Sequence, residues 1–160
     1  MNNMKPILYI LCGPSGCGKT FWAHNFMKDN DIRYVSRDEI RYSIVKEEED
    51  YFSHEKEVFK KFSETIRQTL VDGFDVIADA THLNEFSRRK LTQAIDMYNV
   101  EYNIVYVIFN VDIDTCLARN SVREGRANVP ETIIRNMYRE FRAPVLDEDE
   151  RAINIIEVSD

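Results

Sequence analysis

Three features of this 160-residue sequence point to an α/β fold, a parallel sheet of about five strands with helices on both faces. Short, nearly all-apolar runs alternate with segments of helical period, the pattern of crossover units in a sheet covered on both sides. No stretch rich in Pro, Gly or Ser divides the chain and no internal repeat is visible, so a single domain over 1–160 is expected. The composition, 44% hydrophobic and 31% charged, is that of a globular chain. A chain of this length buries about 70% of its unfolded surface and needs no disulfide or metal to fold.

Strands are expected at Ile7–Cys12, Ile32–Ser36, Asp75–Ala78, Tyr102–Phe109 and Ile153–Val158. Helical spacing follows in Phe21, Trp22 and Phe26, then in Phe59, Phe62 and Ile66. It returns in Leu91, Ala94, Ile95 and Tyr98, and in Ile134, Met137, Tyr138 and Phe141. In a parallel sheet ligands collect at the carboxyl ends of the strands, so the residues just after each strand are the candidates for chemistry.

The net charge of −7 argues against a uniformly basic nucleic-acid binder. The charge is uneven, however: residues 46–57 hold six acids and two Lys, whereas 114–142 hold six Arg and four acids. A local basic surface is therefore expected on an acidic whole, with the acidic runs 47–50 and 147–150 as solvated exterior. The longest apolar runs, Ile7–Cys12 and Ile104–Phe109, fall far short of the roughly 18 residues of a membrane span. The N-terminal run is also shorter than the about 7–15 apolar residues of a signal peptide. Cys12, Cys17 and Cys116 are odd in number and widely spaced, which suits neither a disulfide framework nor a zinc cluster. The expectation is a soluble protein of the cytoplasm.

After the first strand comes Gly13-Pro14-Ser15-Gly16-Cys17-Gly18-Lys19-Thr20, a full match to GxxxxGK[ST]. The glycines let successive N–H groups curl inward around phosphate oxygens, and the helix that begins near Lys19 adds the positive end of its dipole. Lys19 reaches the β- and γ-phosphates of ATP, and the Thr20 hydroxyl can hold Mg²⁺. Cys17 reads as an inert small residue or, beside a helix N-terminus, as a thiol of lowered pKa.

The second strand runs into Ser36-Arg37-Asp38-Glu39-Ile40-Arg41. Asp38 is either a general base for an attacking hydroxyl or a helix N-cap. Arg41 would share its helix face and either grip a phosphate bidentately or pair with Asp38 in solvent. After the third strand, Asp79 resembles a Walker B acid that holds metal through water or helps place substrate, and Asn84 reads as a helix cap. His82, without a ligand-spaced partner, reads as a surface or hydrogen-bonded ring. Arg119, Arg123 and Arg126 read as a closing lid over phosphates or as a solvated helix face. Val111-Asp112-Ile113-Asp114 looks superficially like a phosphatase start, but capping by Asp112 or Asp114 explains it better.

Taken in order, GPSGCGKT, SRDEIR, DATHLN and RNSVREGRANVP resemble the kinase domain of bacteriophage-type polynucleotide 5′-hydroxyl kinases, over roughly Lys5 to Pro144. That resemblance implies a P-loop kinase fold with an arginine-bearing lid at roughly 119–130. It implies transfer of the γ-phosphoryl of ATP, with Mg²⁺, to a 5′-hydroxyl end of DNA or RNA. Carried over by motif, Lys19 and Thr20 serve the phosphates and metal, Asp38 is the base, Arg41 binds the acceptor's 3′-phosphate, Arg123 is the lid arginine and Thr81 lies on the substrate side. Two departures stand out. Ala80 occupies the place of the family's Asp before that Thr, which leaves the role of Asp79 open, and no 3′-phosphatase domain is expected. A small-molecule kinase of the same fold and a nucleotide-switched binding protein are the alternatives.

Overall fold

The computed structural model describes residues 4–159. Five strands, β1 (Ile7–Cys12), β2 (Ile32–Ser36), β3 (Asp75–Asp79), β4 (Asn103–Asn110) and β5 (Ala152–Ser159), form one sheet in the order β2-β3-β1-β4-β5. Every pairing in it is parallel. The helices are α1 (Lys19–Met27), α2 (Arg37–Ile44), α3 (Glu55–Val71), α4 (Glu85–Asp96), α5 (Ile113–Ser121) and α6 (Glu131–Glu140), with 3-10 turns at Gly125–Ala127 and Leu146–Glu148.

The α/β reading, with helices on both faces, follows from the side-chain alternation of the strands. Leu8, Ile10 and Cys12 pack with Phe62, Ile66 and Leu70 of α3 and with Leu91 and Ile95 of α4. Tyr9 and Leu11 face the opposite way, toward Ala23 of α1, Cys116 of α5 and Ile134 of α6. With both faces covered, β1 and β4 are buried along nearly their whole length, which is why they read as unbroken apolar runs.

The element boundaries differ from the sequence reading by small steps. β3 continues to Asp79, which pairs with Ser36 of β2. The helical pattern expected to reach Tyr98 ends at Asp96, and Asn99 at φ 59 turns the chain toward β4. Phe21, expected on the apolar side of α1, is 76% exposed. Trp22 and Phe26 of that helix stack on each other at 4.6 Å against Tyr9 and Phe109. Asn84 caps α4 through a reciprocal pair with Ser87, and Asp112 caps α5 by accepting from the Thr115 N–H at 2.8 Å.

The parallel register brings the ends of β1, β2 and β3 to one edge of the sheet, where the phosphate loop, the start of α2 and the segment 80–84 meet. Among the described residues no helix is long and apolar enough to cross a membrane. Cys12, Cys17 and Cys116 are buried and unpaired.

Candidate active site

The phosphate loop is anchored at its start by the Gly13 N–H, which donates to the Thr81 carbonyl at 2.9 Å. Gly16 adopts φ +86, and a Cβ there would lie 2.6 Å from the Cys116 carbonyl oxygen, so only glycine fits. Gly18 at φ +93 is the residue before α1, and the first N–H groups of that helix open onto the hollow of the loop. Lys19 folds back to donate to the carbonyls of Gly13 and Pro14, each at 2.8 Å. Its third N–H rests 3.7 Å from Cys17 Sγ, a weak acceptor that a phosphate oxygen readily replaces.

Asp79, buried at the end of β3, accepts hydrogen bonds from the Thr20 hydroxyl at 3.0 Å and from the Tyr34 phenol. Burial and the Asp79 charge raise the Tyr34 phenol above its ordinary range, so it stays a donor. A hydroxyl and a carboxylate at the foot of a phosphate loop are hard oxygen donors. They fit Mg²⁺, which takes one or two protein oxygens and completes its shell with phosphate and water.

Asp38 lines the same cavity as the phosphate loop. The N-cap of α2 is Ser36, whose Oγ accepts from the Glu39 N–H at 3.2 Å, so the capping alternative for Asp38 is displaced. The Asp38 side chain is 64% exposed, and its Oδ1 accepts from Arg41 at 2.8 Å and from the Tyr51 hydroxyl at 3.1 Å. Arg41 is buried rather than solvated. Its Nε and Nη2 fork onto Glu55 at 2.8 and 3.0 Å, and its plane lies over Tyr51 at 4.7 Å. Glu55 also accepts from Arg37 at 3.0 Å. The bidentate face of Arg41 is thus occupied within the protein, and what it holds here is Asp38.

Ser15, Gly16, Gly18, Lys19 and Thr20 form one wall of a single cavity of about 1000 Å³. Asp38, Arg41, Asp79, Thr81, Arg123 and Arg126 line the rest of it. Gly13 and Cys17 lie behind that surface, in the buried part of the loop. Of the segment 119–130, Arg119 belongs to the last turn of α5, with its guanidinium 3.3 Å from where a Gly18 Cβ would stand. Arg126 reaches over to α2, where its guanidinium lies 5.5 Å from the Tyr42 ring and donates to the Tyr42 carbonyl at 3.4 Å. The base of the segment is fixed by Asn120, which bonds the backbone of Val129 in both directions at 2.6 and 2.8 Å.

Sequence reasoning did not single out Tyr51, Glu55, Phe86 or Lys90, which also line this cavity, and His82, read as a surface or hydrogen-bonded ring, is the hydrogen-bonded one. The cue for His82 was its place just beyond a strand's carboxyl end. It is 5% exposed, takes φ 41, and donates from Nδ1 to the Leu11 carbonyl at 2.7 Å, so Nε2 carries the lone pair. Burial pushes its pKa down to about 4, helped by the charges of Arg37, Lys19 and Arg88. The unfolded ring takes a proton near pH 6.5 and the folded ring only near pH 4, so between those values the unfolded state holds the extra proton. Stability is therefore full above pH 6.5 and falls toward pH 4 by roughly 3 kcal/mol from this ring. Urea melts from pH 7.5 to 4 will show that decline, and His82→Asn, which tolerates positive φ, will show a shallower one. Equal slopes in the two proteins would rule the ring out as the cause.

A parallel sheet in this order, with a glycine loop from its central strand cradling a lysine and feeding a helix, defines a P-loop nucleotide-binding domain of kinase fold. The chain belongs to the AAA domain family AAA_33, whose model matches residues 8–144. Among solved structures it is similar to a chain of the Pnkp1/Rnl/Hen1 RNA repair complex, with 21% identity, a TM-score of 0.74 and 87% of this chain covered. This chain spans only 45% of the length of that one. An unliganded sugar kinase from Janibacter sp. HTCC2649 is 15% identical with a TM-score of 0.68, over 97% of this chain and 85% of that one. A fungal RNA kinase is 15% identical with a TM-score of 0.67, over 95% and 38%. At these identities the likeness is one of fold, shared by kinases of nucleic acid and of sugar.

Proposed function

We propose that this chain is an ATP-dependent kinase that phosphorylates a 5′-hydroxyl end of DNA or RNA. One observation carries the reading: Lys19, Asp38, Arg123 and Arg126, far apart in the sequence, all line the same cavity. ATP lies with its β- and γ-phosphates in the loop, on Lys19 and the N-terminus of α1. The acceptor oxygen attacks the γ-phosphorus in line and its proton passes to Asp38. The bond from that phosphorus to the bridging oxygen breaks, and ADP leaves. Lys19 and Arg123 offset the charge on the transferring oxygens, with Arg119 and Arg126 beside the donor phosphates. Mg²⁺, held by Thr20 with Asp79 alongside, supplies further neutralisation of the β- and γ-phosphates when bound. Arg41 and Tyr51 aim Asp38, and Arg41 turns to the acceptor's 3′-phosphate when Glu55 releases it. Thr81 and Asp79 border the acceptor.

The resemblance of the four motifs supports nucleic acid as acceptor, whereas the likeness of fold extends to RNA kinase and sugar kinase chains alike. We propose one kinase domain over 1–160 with its lid at 119–130. Buried free thiols suit the reducing cytoplasm we propose as its setting. The test is γ-labelled ATP with Mg²⁺ and a panel of 5′-hydroxyl oligonucleotides, nucleosides and sugars. Label on the oligonucleotide 5′ end is the expected outcome. A sugar or nucleoside that outcompetes every oligonucleotide would replace this reading with a small-molecule kinase, and label on no acceptor would favour a nucleotide-switched binder.

A further inference from the structure

Part of the cavity lining is built from residues that phosphoryl transfer does not itself require. Phe59 of α3, Phe86 and Lys90 of α4 and His82 between them line it. Phe86 keeps 78% of its surface exposed at the second position of α4. Lys90 Nζ lies 4.5 Å from the Phe59 ring centre and the Arg37 guanidinium 5.5 Å from it. One buried side-chain polar atom of the lining, Arg37 Nε, has no partner among the described residues. The Nε2 of His82 is a lone pair on a side chain more than nine-tenths buried, its Nδ1 already committed to Leu11.

Each of these features asks for something different from a ligand. The exposed Phe86 ring asks for a flat ring, since stacking rewards any π surface. A neutral imidazole Nε2 accepts and cannot donate, so it asks for an N–H or O–H. Lys90, a cation without an acid partner among the described residues, asks for an anion close to the ring. A simple sugar offers hydroxyls but no π face, and a bare phosphate offers neither ring nor donor. A nucleotide offers all three at once.

We propose that this part of the cavity is a subsite for the base of the acceptor's 5′-terminal nucleotide, stacked on Phe86 with a donor directed to His82 Nε2 and the following phosphate near Lys90, which Phe59 seats. The proposal rests on the kinase reading above and adds to it the group by which the end is recognised.

The experiment compares two 5′-hydroxyl oligonucleotides of one sequence, identical except that the 5′-terminal residue of the second is abasic. Loss of one stacked base corresponds to roughly 5- to 150-fold, so kcat/KM for the abasic end should fall by that range in the wild-type chain. Phe86→Ala, at an exposed position where folding is not at stake, should bring the base-bearing end down toward the abasic one. His82→Asn should narrow the gap as well. Equal labelling of the two ends by wild type, or an undiminished preference in Phe86→Ala, overturns the subsite while leaving the kinase reading intact. Label on neither oligonucleotide removes that reading, and the subsite goes with it.

Discussion

Asp38→Asn should keep ATP affinity at its wild-type value and lower phosphoryl transfer by about 10²- to 10⁴-fold, the range for loss of a positioned general base. The substitution is a clean one in this setting. The Asp38 side chain is 64% exposed, so no desolvated charge is created or destroyed inside the fold. Asparagine keeps an Oδ1 that can accept from Arg41 and Tyr51, so the local hydrogen bonds need not rearrange. Burial and the Asp38 charge raise the Tyr51 phenol above its ordinary range, so its proton remains to be donated to either side chain. No hydrogen bond of Lys19 involves Asp38, so the phosphate loop is untouched. What is lost is one thing, the capacity to take a proton from the acceptor. Single-turnover transfer and equilibrium titration with ATP separate the two quantities, as a drop in kcat without a change in Kd. Transfer within a few-fold of wild type would take Asp38 out of the chemistry, and a matching loss of ATP binding would mean that the substitution had disturbed the loop.

The parts of this site legible in the sequence are those whose determinants are local. The strand–glycine–lysine–helix unit is contiguous, and each of its residues answers to backbone geometry or phosphate charge within a single turn. The end of β1 was legible too, because a strand buried on both faces is written as an unbroken apolar run. What could not be read is pairing across elements. Nothing near Arg41 in the chain announces that its fork will be taken by Glu55, fourteen positions on and in another helix. Nothing around Tyr51, in an acidic stretch of the chain, announces that the turn before α3 brings its hydroxyl to Asp38. Phe21 misled in the opposite direction, since helical spacing alone cannot say which side of α1 meets the sheet. The acidic run 147–150, expected in solvent, contains a buried acid–base contact, between Glu148 and Arg88.

Glu148→Ala should therefore destabilise the fold by about 3–5 kcal/mol, although it replaces a charged residue near the end of the chain by a small one. The Arg88 and Glu148 side chains are 2% and 7% exposed, and the guanidinium donates from Nε and Nη2 to the two carboxylate oxygens at 2.7 and 2.8 Å. Removing the carboxylate leaves an uncompensated cation where water does not reach, and that penalty far exceeds the value of a surface pair. Against a total of about 5–15 kcal/mol for a domain, little margin would remain, and Tm should fall by roughly 6–20 °C. The damage also reaches the cavity: Arg88 Nη1 donates to the His82 carbonyl at 2.9 Å and steadies the segment that holds His82 at φ 41. A cycle of Glu148→Ala, Arg88→Met and the double variant, followed by urea unfolding, isolates the coupling. The double variant should regain most of the loss, because two apolar side chains need no partner in a dry site. It should do so without restoring the His82 anchor, so stability and transfer rate will part company in that protein. A cost below about 1 kcal/mol for Glu148→Ala would mean that water enters the site and that the pair behaves as a surface contact.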